Sequence, residues 1–199
     1  DLVIQIYNFK VYGSIKKNKT SYFLLKKCEF GDYHELATLK KFSKRNKILF
    51  IDCGCNYGFY SFYCASLSKQ NKIFAVEASK KTSNEFLRNL EINKFFNIQF
   101  ENKLISNIDH EDKSFNESEN DWESSDSHRD FNVSSVSNVK TMKLDTLVKK
   151  INFNGYTTII KLDVEGAETK ALEGAFNFIK KSYPLIIMEF SKYIFDDVS

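Results

Sequence analysis

Ile48-Leu-Phe-Ile-Asp-Cys-Gly-Cys-Asn-Tyr-Gly58 is the stretch on which the reading of the whole chain turns. Apolar, β-prone residues run straight into Asp52, and two glycines, Gly54 and Gly58, follow it. Past Gly58 the apolar positions become Phe59, Phe62, Tyr63 and Leu67, the spacing of one helical face. The stretch therefore reads as strand, tight glycine turn and helix. That geometry carries bare backbone N–H groups and a helix N-terminus up to a ligand. A glycine turn alone is a weak motif, because an ordinary bend has the same composition.

Working outward, the same rhythm repeats. Lys72–Ala78 is a second buried-type strand ending in Glu77, and Ser79–Asn93 reads as a helix with Phe86, Leu87 and Leu90 inward. Ile98–Ile105 is a third strand. Val139–Leu144 is another, after which Asp145 caps a helix to about Lys150. Thr157–Asp163 is the fourth buried strand, Ala167–Ile179 a helix, and Leu185–Phe190 a fifth strand opened by Pro184. Strands alternating with helices of this length predict an α/β fold with a mostly parallel, doubly wound sheet. Ahead of it, Leu2–Tyr7, Phe9–Ile15 and Ser21–Leu25, with a turn at Lys16–Thr20, predict a small N-terminal β-ribbon. Gly31–Ser43 then carries Tyr33, Leu36, Leu39 and Phe42 at helical spacing.

Residues 107–138 break the rhythm. Ser, Asn, Asp and Glu dominate, and Phe115, Trp122 and Phe131 are the sparse large apolar residues. Such a segment lacks the surface to order itself, so the expectation is a mobile loop, either a lid or a passive insertion.

The 199 residues fit one domain, with the ribbon and first helix in 1–47 and the core in 48–199. Apolar residues make up 42%, ample for a core, yet no run approaches a membrane-spanning helix and the opening residues show no signal-peptide pattern. A first residue of Asp and an end soon after the fifth strand read as a piece of a longer protein, its last strands beyond Ser199. Cys28, Cys53, Cys55 and Cys64 form no paired metal spacing and read as free thiols of a reducing cytoplasm. The net charge is +3, with nine acids in 109–130 against Lys113 and Arg129, so the positive surplus lies elsewhere. The lysines are scattered as on a solvated surface, which disfavours a nucleic-acid partner.

Asp52, Glu77, Asp163 and Glu189 each fall at the C-terminal end of a predicted parallel strand. Ligands of open α/β sheets bind at that edge, and four acids delivered there from four strands point to a site. Glu77, an acid ending the second strand, suits a bidentate hydrogen bond to a ribose diol. The turn itself is D-x-G-x-x-x-G, not the G-x-G-x-x-G of nicotinamide cofactors. Asp52 puts a carboxylate where a pyrophosphate should lie, which is wrong for that ligand and right for a cationic one with an amino group and a sulfonium. The reading is S-adenosylmethionine.

On these residues the chain resembles the FkbM family of S-adenosylmethionine-dependent methyltransferases. The markers are Phe50-Ile-Asp-Cys-Gly-Cys-Asn-Tyr-Gly-Phe-Tyr-Ser61, then Val76-Glu-Ala78 with Asn89 and Asn93, and Ile160-Lys-Leu-Asp-Val-Glu-Gly-Ala-Glu168 followed by Leu172-Glu-Gly-Ala175 and Pro184-Leu-Ile-Ile-Met-Glu189. They cover roughly residues 31–190. Cys55 stands where the family commonly has alanine, and the acidic insertion is longer than the family pattern. The resemblance implies a Rossmann-like class I methyltransferase fold and O-methylation of a hydroxyl on a sugar or natural-product small molecule. It places Asp52, Gly54, Asn56 and Gly58 around the methionine part, Glu77 at the ribose, Ser106 near the adenine, and Glu35 within reach of the cofactor amine.

A hydroxyl acceptor needs its proton removed. Asp163 is the first candidate base, with Glu165, Glu189, Glu168 and His34 behind it. Glu165 and Glu168 suit the start of the following helix equally well, and Lys161 reads as the partner of one of these acids. No metal is required, although three clustered acids could take a divalent cation. Two other readings stay open: a cofactor-binding module without catalysis, and a nicotinamide-dependent oxidoreductase. A nucleic-acid amino-methyltransferase is disfavoured, since its Asp/Asn-Pro-Pro-aromatic motif needs prolines this chain lacks, Pro184 being the single one.

Overall fold

The computed structural model describes residues 2–13, 33–118 and 133–189. Its strands and helices, in chain order, begin with β1 (Leu2–Ile6), β2 (Phe9–Gly13), α1 (Tyr33–Ser43), β3 (Lys47–Cys53), α2 (Phe59–Leu67), β4 (Lys72–Glu77), α3 (Lys80–Asn93) and β5 (Ile98–Asn102). They continue with β6 (Leu104–Ile105), β7 (Asp112–Ser118), β8 (Val133–Met142), α4 (Leu144–Leu147), β9 (Tyr156–Leu162), α5 (Glu168–Glu173), α6 (Phe176–Ser182) and β10 (Leu185–Met188).

Five strands make one parallel sheet in the order β10-β9-β3-β4-β5. From the central β3 the chain winds outward through β4 and β5, then returns to the other side as β9 and β10. The reversal puts the switch in strand order between β3 and β9, and sheets of this kind bind ligands at the C-terminal ends of the strands there. This is a Rossmann-like α/β fold, as the sequence predicts.

Alternation along β3 builds both layers. Ile48 and Phe50 pack with Leu39 of α1, Phe62 of α2 and Phe86 of α3. Leu49, Ile51 and Cys53 face the other way, onto Leu144 of α4, Ala171 of α5 and Phe178 of α6. Leu39, Phe50, Phe62 and Phe86 are fully buried, each contributing about 2 kcal/mol by leaving water. Phe62, Phe86 and Phe100 stack in series, with ring centroids 5.1 and 4.5 Å apart. The β1–β2 ribbon is antiparallel and feeds Ile4, Ile6, Phe9 and Val11 into the first layer. Asn89 and Asn93 on α3 hold it there by accepting the Tyr12 and Lys10 amides at 2.8 and 2.7 Å. The predicted strand Ser21–Leu25, the turn Lys16–Thr20, Trp122, Phe131 and Phe190 lie outside the described residues.

Four local expectations need correction. The insertion is not a plain mobile loop over its described length: β7 and β8 form an antiparallel hairpin. Phe115 and Val139 bury themselves with Leu104, giving the hairpin a small core of its own. Ile98–Ile105 is two strands, because β6 leaves the main sheet to pair with the end of β8. The helix predicted over Ala167–Ile179 breaks at Gly174 into α5 and α6. A Cβ on Gly174 would sit 2.1 Å from the Ser106 carbonyl oxygen, so this contact demands glycine. Finally, Asp145 caps a different helix from its own. Its carboxylate accepts the Asn177 and Phe178 amides at 3.2 and 2.8 Å, in the first turn of α6.

Asp145→Ala should therefore lower the unfolding free energy by about 1 kcal/mol, and Asp145→Asn by distinctly less, in urea denaturation followed by circular dichroism. Equal losses from both would show that the cap is not the source of the effect.

Candidate functional site

The sheet register aligns the candidate acids. Met188, Leu162, Cys53 and Val76 stand side by side at the strand ends. One residue further on come Glu189, Asp163, Gly54 and Glu77, in a row across the C-terminal edge. The ladder continues into that row: the amides of Glu189, Asp163 and Gly54 donate to the carbonyls of Leu162, Cys53 and Val76 at 3.1, 3.0 and 2.9 Å. Asp52 lies one pleat behind it, directly opposite Lys161.

Asp52 is the most deeply placed acid, 1% exposed. Its Oδ2 accepts the Ser61 hydroxyl of α2 at 2.7 Å, while its buried Oδ1 has no hydrogen-bond partner. Burial pushes its pKa up, opposed by Lys161 and the Ser61 hydrogen bond. Lys161 donates to Asp163 Oδ2 at 2.7 Å and lies 4.7 Å from the centroid of the Tyr60 ring. Burial pulls its pKa down, but Asp163 and Asp52 outweigh burial and leave it above its usual value. Lys161 is thus a held cation, the ion-pair partner that its position among apolar residues predicts.

The glycine turn differs from the expectation of bare amides. The N–H groups of Gly54 and Cys55 both donate to the Val76 carbonyl, and that of Gly58 to the Cys55 carbonyl. Asn56 donates to Glu77 Oε2 at 2.9 Å, and Tyr57 to the Asn56 side-chain oxygen at 2.8 Å. Every amide from 54 to 58 is spent inside the protein. The glycines answer to packing as well. At φ +76 a Cβ on Gly54 would lie 1.8 Å from the Asp163 carbonyl oxygen, and one on Gly58 would strike the rings of Phe62 and Phe86. Gly54 is what lets the ends of β3 and β9 meet at the switch point.

Glu77 receives two of these backbone donors. Ser79 donates to Oε1 at 2.8 Å and Asn56 to Oε2. Burial raises its pKa to about 7 against those two hydrogen bonds, with Glu117 and Asp163 pushing in the same direction as burial.

The remaining candidates fall around this centre. Glu189 is exposed at its edge of the row. Glu165 is half-buried in the turn after β9, at φ 50. Glu168 is buried at the start of α5, where Oε1 accepts the Gly166 amide at 3.1 Å and Oε2 has no partner; it serves the helix start. Glu35 is half-buried in the first turn of α1, which packs in the same layer as Ile48 and Phe50 and leads through a turn at Lys44–Asn46 into β3. His34 is exposed beside Tyr33. Ser106 is buried just past β6, its amide on the Met142 carbonyl at 3.0 Å and its own carbonyl against Gly174. Among the described residues no three His, Cys, Asp or Glu side chains converge so as to hold a metal ion. Cys53, Cys55 and Cys64 are free and buried, and burial pushes all three thiols up. No helix of the described residues is long and apolar enough to cross a membrane.

Sequence reasoning missed two residues of this centre. Ser61 was visible only as part of a family marker, and nothing local says that its hydroxyl serves Asp52. Glu117 was hidden in the insertion, where it reads as one acid among many.

A family model described as the methyltransferase FkbM domain matches residues 52–198, about three quarters of the chain. Among solved structures, the chain is similar to the precorrin-6y C5,15-methyltransferase from Geobacter metallireducens. The TM-score is 0.50 and the identity 10%, over 94% of this chain and 72% of that one, a likeness of fold. None of the curated proteins matches the sequence.

The Glu77 pKa has a measurable consequence for stability. A folded value of about 7 above the ordinary 4.5 means that its contribution is fully present below about 4.5 and is lost as pH rises through about 7. Between those limits wild type should lose up to about 3 kcal/mol relative to Glu77→Gln, read from urea denaturation of both proteins across pH 4–8. A difference that stays flat with pH would contradict the shift.

Proposed function

The chain belongs to the FkbM methyltransferase family, and on that premise we propose that it moves a methyl group from S-adenosylmethionine to a hydroxyl oxygen of a sugar or natural-product small molecule. The observation that carries the reading is the buried, unpartnered oxygen of Asp52 behind the row Glu189, Asp163, Gly54 and Glu77. A buried acceptor without a donor is costly unless a ligand supplies one, and an edge this rich in carboxylates suits a cation. The residues therefore fit this cofactor.

In this reading Asp52 Oδ1 accepts from the cofactor amine and Glu77 accepts from the ribose hydroxyls. Gly54, Asn56 and Gly58 shape the turn rather than donate from it. When bound, the cofactor supplies an activated methyl group. Asp163, oriented by Lys161 through one oxygen, takes the proton from the acceptor hydroxyl as that oxygen gains the methyl. Alignment is the main contribution of the protein, of order 7–11 kcal/mol in the best intramolecular cases, and proton removal adds about 10²- to 10⁴-fold. Ser106 and Glu35 remain assignments from family resemblance, to adenine and amine. The nicotinamide alternative loses its physical basis: no amide from 54 to 58 is left to meet a pyrophosphate.

The test is methyl transfer to a panel of sugar and polyketide hydroxyls, with product detected by mass, alongside calorimetric titration of the cofactor. Asp52→Asn should weaken S-adenosylmethionine binding at least about tenfold, and unchanged affinity would overturn the site. Asp163→Asn should leave affinity within about threefold and reduce turnover about 10²-fold or more. Full activity in that variant would remove the base, and binding by wild type without turnover on any hydroxyl would leave a cofactor-binding module instead.

A further inference from the structure

The β7–β8 hairpin ends against the cofactor edge on a buried carboxylate. Inward positions of β7 alternate, so Phe115 and Glu117 share one face. Phe115 extends the small apolar core, and the next inward place could have done the same. It holds Glu117 instead, 3% exposed. Burying a carboxylate costs several kcal/mol unless specific donors meet it, so its partners indicate what it is for.

Those partners sit at the end of β4. Glu117 Oε2 accepts the Ser79 hydroxyl, and Oε1 accepts the Lys80 amide at 2.9 Å and the Ser137 hydroxyl of β8 at 3.0 Å. Ser79 is also the residue whose amide holds Glu77 Oε1, and its oxygen caps α3 by accepting the Thr82 amide at 3.0 Å. A serine hydroxyl has one hydrogen to give and lone pairs to receive with. Here the hydrogen goes to Glu117 and a lone pair to the helix. Ser79 is therefore pinned between two carboxylates, one on the hairpin and one on the sheet edge. The N-terminal dipole of the 14-residue α3 offsets the negative charge of both.

We propose that Glu117 is a positioning residue of the cofactor site, which fixes the Glu77 carboxylate through Ser79 and so couples the hairpin to ribose binding. The proposal rests on the assignment of Glu77 to the ribose. It makes the hairpin part of the cofactor site rather than a passive insertion. Among the described residues, the titratable groups around Glu77 are Glu117 from β7, Asp163 from the end of β9 and the Cys55 thiol from the glycine turn. Of these, Glu117 is the one that joins Glu77 through a shared hydrogen-bond partner.

The measurement is the affinity for S-adenosylhomocysteine by calorimetry across pH 5.5–8.5, for wild type, Glu117→Gln and Glu77→Gln. Wild-type affinity should rise with pH as Glu77 ionises. Glu117→Gln removes a neighbouring charge and loosens Ser79, so two effects are expected together. The midpoint of the rise should move down by about half a unit or more, and the plateau at high pH should weaken about threefold or more. A purely structural role would weaken binding evenly at all pH, and an unmoved midpoint overturns the proposal. Glu77→Gln separates the two levels: it should flatten the rise. If it leaves the rise intact, the ribose assignment itself fails, whatever Glu117→Gln does. Should Glu117→Gln not fold, Ser79→Gly keeps the Glu77–amide contact but deletes the hydroxyl link. It should then weaken the plateau by a similar factor, and wild-type affinity there would overturn the coupling.

Discussion

Asp52 is a carboxylate kept out of water at the centre of a parallel sheet, and much of the surrounding architecture answers that constraint. Left alone such a group protonates or destabilises the fold by several kcal/mol. Two neighbours limit the cost: Ser61, buried in the first turn of α2, and Lys161, directly across the ladder on β9. Both depend on the switch point, because β9 can lie beside β3 only if the chain returns after winding outward. The return in turn depends on Gly54, whose missing side chain leaves room for the Asp163 carbonyl. Sheet order, glycine position and buried charge are thus one constraint seen at three levels.

That coupling explains which parts were legible in the sequence. β3, β4 and β9 are covered on both faces, so they appear as continuous apolar runs, and an acid ending each run stands out. Asp52, Glu77, Asp163 and Glu189 could therefore be assigned to one edge with no knowledge of the register. The glycines were recognised, but for a reason the structure revises. A φ-permissive turn reads as an open cradle of amides, whereas here Val76, Cys55, Asn56 and Glu77 take every one of them. Local sequence shows that a turn exists and does not show where its hydrogen bonds go.

The misreadings share a cause, which is that the deciding partner is distant in the chain. Asp145 looks like the cap of the helix it enters, yet it meets Asn177 and Phe178. Gly174 looks tolerable inside a helix until the Ser106 carbonyl arrives beside it. The hairpin is the extreme case. Its polar composition argues against order, and inward groups such as Phe115, Val139 and Glu117 tie it to β6 and the end of β4. Composition rules average over a segment and do not show which of its side chains turn inward.

The acids of the edge divide by the way their charge is met. Asp163 is paired with an ammonium, Glu77 with two backbone amides, and Glu117 with hydroxyls and a helix N-terminus. Amides and hydroxyls stabilise a carboxylate without cancelling its charge, so the edge stays electronegative although most of its hydrogen bonds are made. Ligand groups that donate hydrogen bonds gain from such a surface, and an anion would be repelled by it. A cation gains from each acid that is ionised, while burial holds the pKa values of Glu77 and Asp52 up, and a donor gains most at Asp52, where one oxygen still lacks a partner. Lys161 is the internal cation of the edge, but its ammonium is given to Asp163 and the face of Tyr60. What the fold leaves unmet at Asp52 is therefore a hydrogen-bond donor to Oδ1 rather than a charge, since Lys161 already stands across the ladder from it.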